Sequence, residues 1–114
     1  MAATTVALLT LLSAGDHYIM TEDCYRRTRQ FGLEIMPRLG IECTLVPIND
    51  MRSLAGAIRS NTRLVLTETP TNPYLRIVDL PRLAEVAREH GLISIVDATF
   101  GTPCNIRPLA FGID

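Results

Sequence analysis

The sequence predicts an α/β fold, a mostly parallel sheet with helices on both faces. Three observations predict it. Hydrophobic spacing switches repeatedly between the helical repeat and short continuous apolar runs, so helices and strands alternate along the chain. Strands separated by helices pair in parallel through right-handed crossovers. Two strand candidates run directly into segments that concentrate carboxylates, an amide and prolines, at 68–74 and 97–103. Open parallel sheets bind their ligands there, outside the carboxyl ends of the strands.

The elements follow in order. Met1–Leu12 reads as a buried helix ended by Gly15. It has no basic leader and is too short to span a bilayer, which makes it a core helix rather than a signal peptide or anchor. His17–Thr21 is a short strand, with His17 expected at the surface. Tyr25–Leu39 carries Phe31, Ile35 and Leu39 four apart, as on one helical face, and Gly40 sits where a C-terminal cap belongs. Glu42–Pro47 is a strand, and Asn49 or Asp50 caps a helix over Met51–Arg59. Arg63–Thr67 is a third strand, and the proline-rich Glu68–Tyr74 is a loop. Asp79 caps a helix containing Leu83, Val86 and Ala87, with Pro81 tolerated in its first turn and His90-Gly91 at its end. Leu92–Val96 is a continuous apolar run, the pattern of a strand buried on both faces, and it ends in Asp97.

Composition narrows the function. A chain of 114 residues is one domain's worth, and 47% hydrophobic residues supply a core. A net charge of −1 provides no basic surface for nucleic acid or anionic membrane. Cys24, Cys43 and Cys104 are odd in number and lack metal or redox spacing, which argues against a zinc site or a disulfide framework and for a reducing, cytoplasmic setting. All eleven cationic side chains are arginine; the sequence contains no lysine.

Single residues are open to two readings each. Asp97 after Ile95-Val96 either caps the next turn or meets a cation, from a distant arginine or a ligand, because an unpaired buried charge costs several kcal/mol by order of magnitude. Asn72 is either an Asx-turn residue or a ligand contact. Tyr25 is either a packing residue or a ring presented to a ligand. His90 suits a helix C-terminus.

The combination is more specific. Ser13-Ala14-Gly15-Asp16-His17, Asp23-Cys24-Tyr25-Arg26-Arg27-Thr28, Glu68-Thr69-Pro70-Thr71-Asn72-Pro73, Val96-Asp97-Ala98-Thr99-Phe100 and Arg107-Pro108-Leu109 to Asp114 together resemble the Cys/Met metabolism enzymes that use pyridoxal 5'-phosphate (PLP). The resemblance runs the length of the chain. It implies a fold-type I PLP-dependent transferase large domain and, in the complete enzyme, elimination or replacement on cystathionine, homoserine esters or related sulfur amino acids. It also implies a homotetramer built from dimers.

By the same resemblance, Asp97 pairs with the protonated pyridine nitrogen, Asn72 donates to the phenolic oxygen, and Tyr25 stacks on the ring. Thr99 lines the cofactor's face, and Met1 closes the phosphate turn. Glu68 supports its loop rather than touching substrate. Two features depart from the family pattern. Ala98 replaces an asparagine, and Arg26-Arg27 replace two glycines, which requires a backbone without positive φ there.

The family's phosphate-turn Ser-Gly is expected upstream of Met1. The lysine that holds the cofactor covalently, and the small domain, are expected downstream of Asp114. Residues 1–114 then form a partial PLP-binding large domain, inactive by itself. The alternatives are part of a PLP aminotransferase and a non-enzymatic flavodoxin-like binding domain.

Overall fold

A computed structural model describes residues 1–114. Four strands form one parallel sheet in the order β2-β1-β3-β4, where β1 is His17–Thr21, β2 Glu42–Val46, β3 Thr62–Glu68 and β4 Ile93–Asp97. The chain steps from β1 outward to β2, then returns across β1 to place β3 on its other side. That reversal makes the gap between the carboxyl ends of β1 and β3 a topological switch point.

The helices cover both faces, as expected. Strand residues alternate sides, so Ile19, Val46 and Val65 enter one core with Leu54 of α3 (Met51–Gly56) and Leu83, Val86 and Ala87 of α4 (Leu80–Glu89). Tyr18, Met20, Leu64 and Leu66 enter the other with Leu8 of α1 (Ala2–Leu11) and Met36. Each fully buried aliphatic side chain contributes about 1.5–3 kcal/mol, against about 1 kcal/mol net for a ladder hydrogen bond, so the two cores hold the sheet more than its ladder does.

Local signals placed the caps correctly. Asp50 Oδ1 accepts from the Ser53 amide at 2.9 Å, and Asp79 Oδ1 accepts from the Arg82 amide at 3.1 Å. His90 forms the C-terminal cap of α4. Asn49 takes a different task. Its Nδ2 donates to the Ile77 carbonyl at 2.8 Å and its Oδ1 accepts from the Asp79 amide at 2.9 Å, tying the chain ahead of α4 to the end of β2.

Four expectations are corrected. The stretch after Tyr25 is α2 (Arg26–Gln30), a π turn at Phe31–Ile35 and a 3₁₀ turn at Met36–Leu39, and its inward stripe is Thr28, Gly32 and Met36. Ile35 and Leu39 are exposed and Phe31 packs only partly against the core that holds Met36, while Gly32, lacking a side chain, lets the backbone settle on the Tyr18 ring. α1 buries only Thr4 and Leu8; Val6, Leu9 and Leu11 are exposed, because one face alone meets the sheet. β4 is an edge strand in which only Ser94 is buried. His17 is wholly buried at the start of β1, where its Nδ1 and Nε2 each lie 2.8 Å from a threonine hydroxyl, Thr62 and Thr44.

Candidate functional site

Glu68 ends β3 and Asp97 ends β4, and the two are paired in register. Both share parity with Leu64, Leu66, Ile93 and Ile95, so both side chains leave the sheet on the α1 side. A cleft of about 300 Å³ opens there, floored by Leu66, Ile95 and Val96 and walled by Ala3, Thr4 and Ala7 of α1. Met1, Asp97 and Thr99 stand on its rim. Met1 is held there by the Thr28 hydroxyl, which donates to its sulfur at 3.3 Å.

Asp97 does cap the turn that follows. Its Oδ1 accepts from the Thr99 amide at 3.0 Å and from the Thr99 hydroxyl. That is the modest reading of the residue, and it leaves Oδ2 free. Of the two cations left open, no arginine arrives: the salt bridges of the chain engage Glu42, Asp16, Asp23 and Glu85. A half-buried carboxylate at the head of an apolar cleft thus lacks a cation.

Glu68 compounds this. Its side chain is almost entirely buried, at 6% exposure, and Oε2 accepts from the Tyr25 amide at 2.5 Å. Burial raises its pKa above the ordinary glutamate value and the charge on Asp97 raises it further, while the amides of Tyr25 and Asn72 oppose the rise. Two carboxylates therefore end neighbouring strands, one of them on the cleft rim, and neither is salt-bridged to a guanidinium.

Tyr25, Asn72 and Glu68 do not line the cleft; Glu68 bonds the Tyr25 amide and is the register partner of Asp97, which does. Tyr25 is the N-cap of α2, and its side chain is 38% exposed, which excludes the core-packing reading. Arg26 and Arg27 are helical, so their replacement of glycines creates no strain beside it. The loop carrying Asn72 is stapled by its own side chains. Thr69 Oγ1 accepts from the Val78 amide at 3.0 Å and Thr71 Oγ1 from the Arg76 amide at 3.1 Å. Arg76 Nη1 bridges to the nearly buried Asp23 at 2.8 Å and its guanidinium lies over the Tyr74 ring. The carboxamide of Asn72 takes no part in these bonds, so the Asx-turn reading has no hydrogen bond behind it.

Sequence reasoning missed the Asp23–Arg76 bridge and the Thr28–Met1 contact. The first joins residues 53 apart and leaves no sequence signal. The second was available only as the threonine that follows Tyr25 in the motif.

The donor set fits PLP. An unpaired carboxylate suits a protonated ring nitrogen, an exposed tyrosine ring suits a flat heterocycle, and the first turn of α1, with no side-chain cap, offers free amides to an anion. Fold and site together define a doubly wound α/β protein with an anionic-rimmed cleft at the carboxyl ends of its strands. The chain belongs to the Cys/Met metabolism PLP-dependent enzyme family, which it matches over residues 1–114.

It is 42% identical to the chloroplastic cystathionine gamma-synthase 1 of Arabidopsis thaliana, over 100% of this chain and 20% of that protein. It is 43% identical to a cystathionine beta-lyase of Bacillus subtilis, over 100% of this chain and 29% of the other. A crystal structure of cystathionine gamma-lyase from Lactobacillus plantarum complexed with L-serine superposes with a TM-score of 0.93 at 36% identity, covering 99% of this chain and 30% of that one. The O-acetylhomoserine sulfhydrylase of Wolinella succinogenes superposes at 0.95 with 32% identity, over 100% and 32% of the two chains. The chain therefore spans about a fifth to a third of the proteins it resembles. No helix is long and apolar enough to cross a membrane.

Proposed function

We propose that residues 1–114 are the cofactor-binding core of the large domain of a PLP-dependent trans-sulfuration enzyme. In this reading the phosphate-turn Ser-Gly precedes Met1, and the cofactor-bearing lysine and the small domain follow Asp114. The complete enzyme acts on cystathionine, a homoserine ester or a related sulfur amino acid by elimination or replacement. It works in the cytoplasm as a homotetramer built from dimers.

One observation carries the reading. Asp97 presents a free carboxylate oxygen at the head of a cleft that no arginine enters, and the ring nitrogen of PLP is the cation that site lacks. Bound there, the cofactor supplies an electron sink for charge developing at the substrate α-carbon. The chain's own residues do the rest. Asp97 holds the ring nitrogen protonated, because an opposite charge within reach favours the charged form. Tyr25 covers one face of the ring, and Asn72 donates to the phenolic oxygen. Thr99 fixes the Asp97 carboxylate by bonding its Oδ1, which leaves Oδ2 without a bond from the chain. Met1 and the first turn of α1 meet the phosphate.

Asp97→Ala in the full-length enzyme tests this. Removing the carboxylate should slow exchange of the substrate α-proton with deuterated solvent by roughly hundreds-fold, the scale for loss of a principal charge stabiliser. A nearly unchanged exchange rate would overturn the assignment.

A further inference from the structure

We propose that Glu68 is the positioning residue of this site: its carboxylate holds Tyr25 in place through the backbone amide and responds to the charge on Asp97. The inference rests on the PLP reading above and deepens it. Three facts about the chain carry it. The Glu68 side chain is 6% exposed, yet it has no cationic partner. Its shortest hydrogen bond is from the Tyr25 amide, at 2.5 Å across the switch point between β1 and β3. Its register neighbour on β4 is Asp97.

The physical consequence is a coupling. Tyr25 begins α2 and has no side-chain cap to hold it, so the bond to Glu68 is what ties the start of that helix to the sheet. A hydrogen bond to an ionised carboxylate is stronger than one to a neutral acid. Two like charges at neighbouring strand ends disfavour ionisation of Glu68, and a cation seated on Asp97 relieves them. Occupancy of the cleft by a cationic ring therefore favours the ionised form of Glu68, the form that accepts more strongly from the Tyr25 amide. A side chain that served only to fill space would show no such dependence.

The chain contains three tyrosines, so labelling tyrosine amide nitrogens alone gives three signals, from Tyr18, Tyr25 and Tyr74. On acid titration the Tyr25 signal should move with the ionisation of Glu68. The movement should disappear in Glu68→Gln, and its midpoint should fall in Asp97→Asn. A Tyr25 signal that does not titrate, or one that titrates unchanged in either variant, overturns the proposal and leaves the assignment of Asp97 standing.

In the full-length holoprotein, Glu68→Ala should release PLP about tenfold faster, because the Tyr25 amide loses a buried acceptor. Glu68→Gln, which keeps an acceptor oxygen, should recover most of that loss. Release from Glu68→Ala at the parent rate overturns the proposal. A parent that takes up no PLP overturns the functional reading itself, and the positioning role with it.

Discussion

Gly32 is where the sequence most tightly constrains how a helix lies on the sheet. A Cβ built there falls 2.5 Å from the Tyr18 hydroxyl oxygen and 3.0 Å from the Met20 terminal methyl. Ordinary contact begins at 3.4 Å, so Gly32→Ala needs the buried Tyr18 ring to retreat by about 0.9 Å. Overpacking of this kind costs about 1–3 kcal/mol, and alanine returns about 1 kcal/mol in helical preference. The net expectation is a loss of about 0–2 kcal/mol.

Tyr18→Phe removes the clashing atom and leaves the nearest ring carbon at 3.7 Å, with only the flexible Met20 methyl still tight. That hydroxyl is buried with no well-formed hydrogen bond, facing at most the weakly accepting Cys43 thiol, so Tyr18→Phe should itself be neutral or stabilising. Added to Tyr18→Phe, Gly32→Ala should be neutral or stabilising. The parent, the two single variants and the double variant form a double-mutant cycle, read by urea unfolding followed with circular dichroism. If Gly32→Ala costs the same with and without the Tyr18 hydroxyl, the helix does not rest on that atom and the reasoning fails.

The remaining predictions concern titration and thiol chemistry. Burial lowers the His17 pKa below 6.5, and the Arg59 guanidinium lowers it further against a weaker opposing pull from Glu42, so the folded chain holds His17 neutral. The unfolded chain then binds more protons below pH 6.5. Stability is fully present above that value and is lost as pH falls through the lowered folded pKa. His17→Gln should flatten this part of the profile of unfolding midpoint against pH, and a slope that persists unchanged would assign the acid sensitivity to another group. Burial pushes the Cys24 thiol up to about 12 and the Cys43 thiol up to about 11, whereas Cys104 is exposed. Iodoacetamide should therefore modify one cysteine quickly and the other two only after denaturation, counted by mass spectrometry; rapid modification of Cys24 would contradict its burial.

What was legible in the sequence is what nearby residues decide. β1 spans the expected residues, and the caps at Asp50 and Asp79 act within three positions, a range that a sequence displays directly. The missed features depend on partners from elsewhere. Phe31, Ile35 and Leu39 repeat as a helical face should, yet the face that packs was chosen by the bulk of Tyr18, thirteen or more residues earlier. The burial of His17 needs threonines from both neighbouring strands, and the exposure of β4 depends on its place at the sheet edge.

The candidate site divides the same way. Asp97, Asn72 and Tyr25 stand out because each follows a strand and bears unusual chemistry for its position. The link from Glu68 to Tyr25 exists only because β1 and β3 are neighbours, and periodicity does not specify the order of strands.

The stapled loop after β3 has a consequence for how such a site changes over evolutionary time. Thr69, Thr71, Arg76 and Asn49 fix residues 69–79 from four directions, although the segment has no regular structure. Ordering a free loop takes about 1–2 kcal/mol per residue, and here folding meets that cost before any ligand arrives. Asn72 therefore stands on a loop whose shape is set by the fold before any ligand arrives. A descendant that acquires a new substrate cannot remould this loop by one substitution, since releasing it means breaking several distant bonds together. Change comes more easily in parts of the molecule held by fewer ties than in this loop.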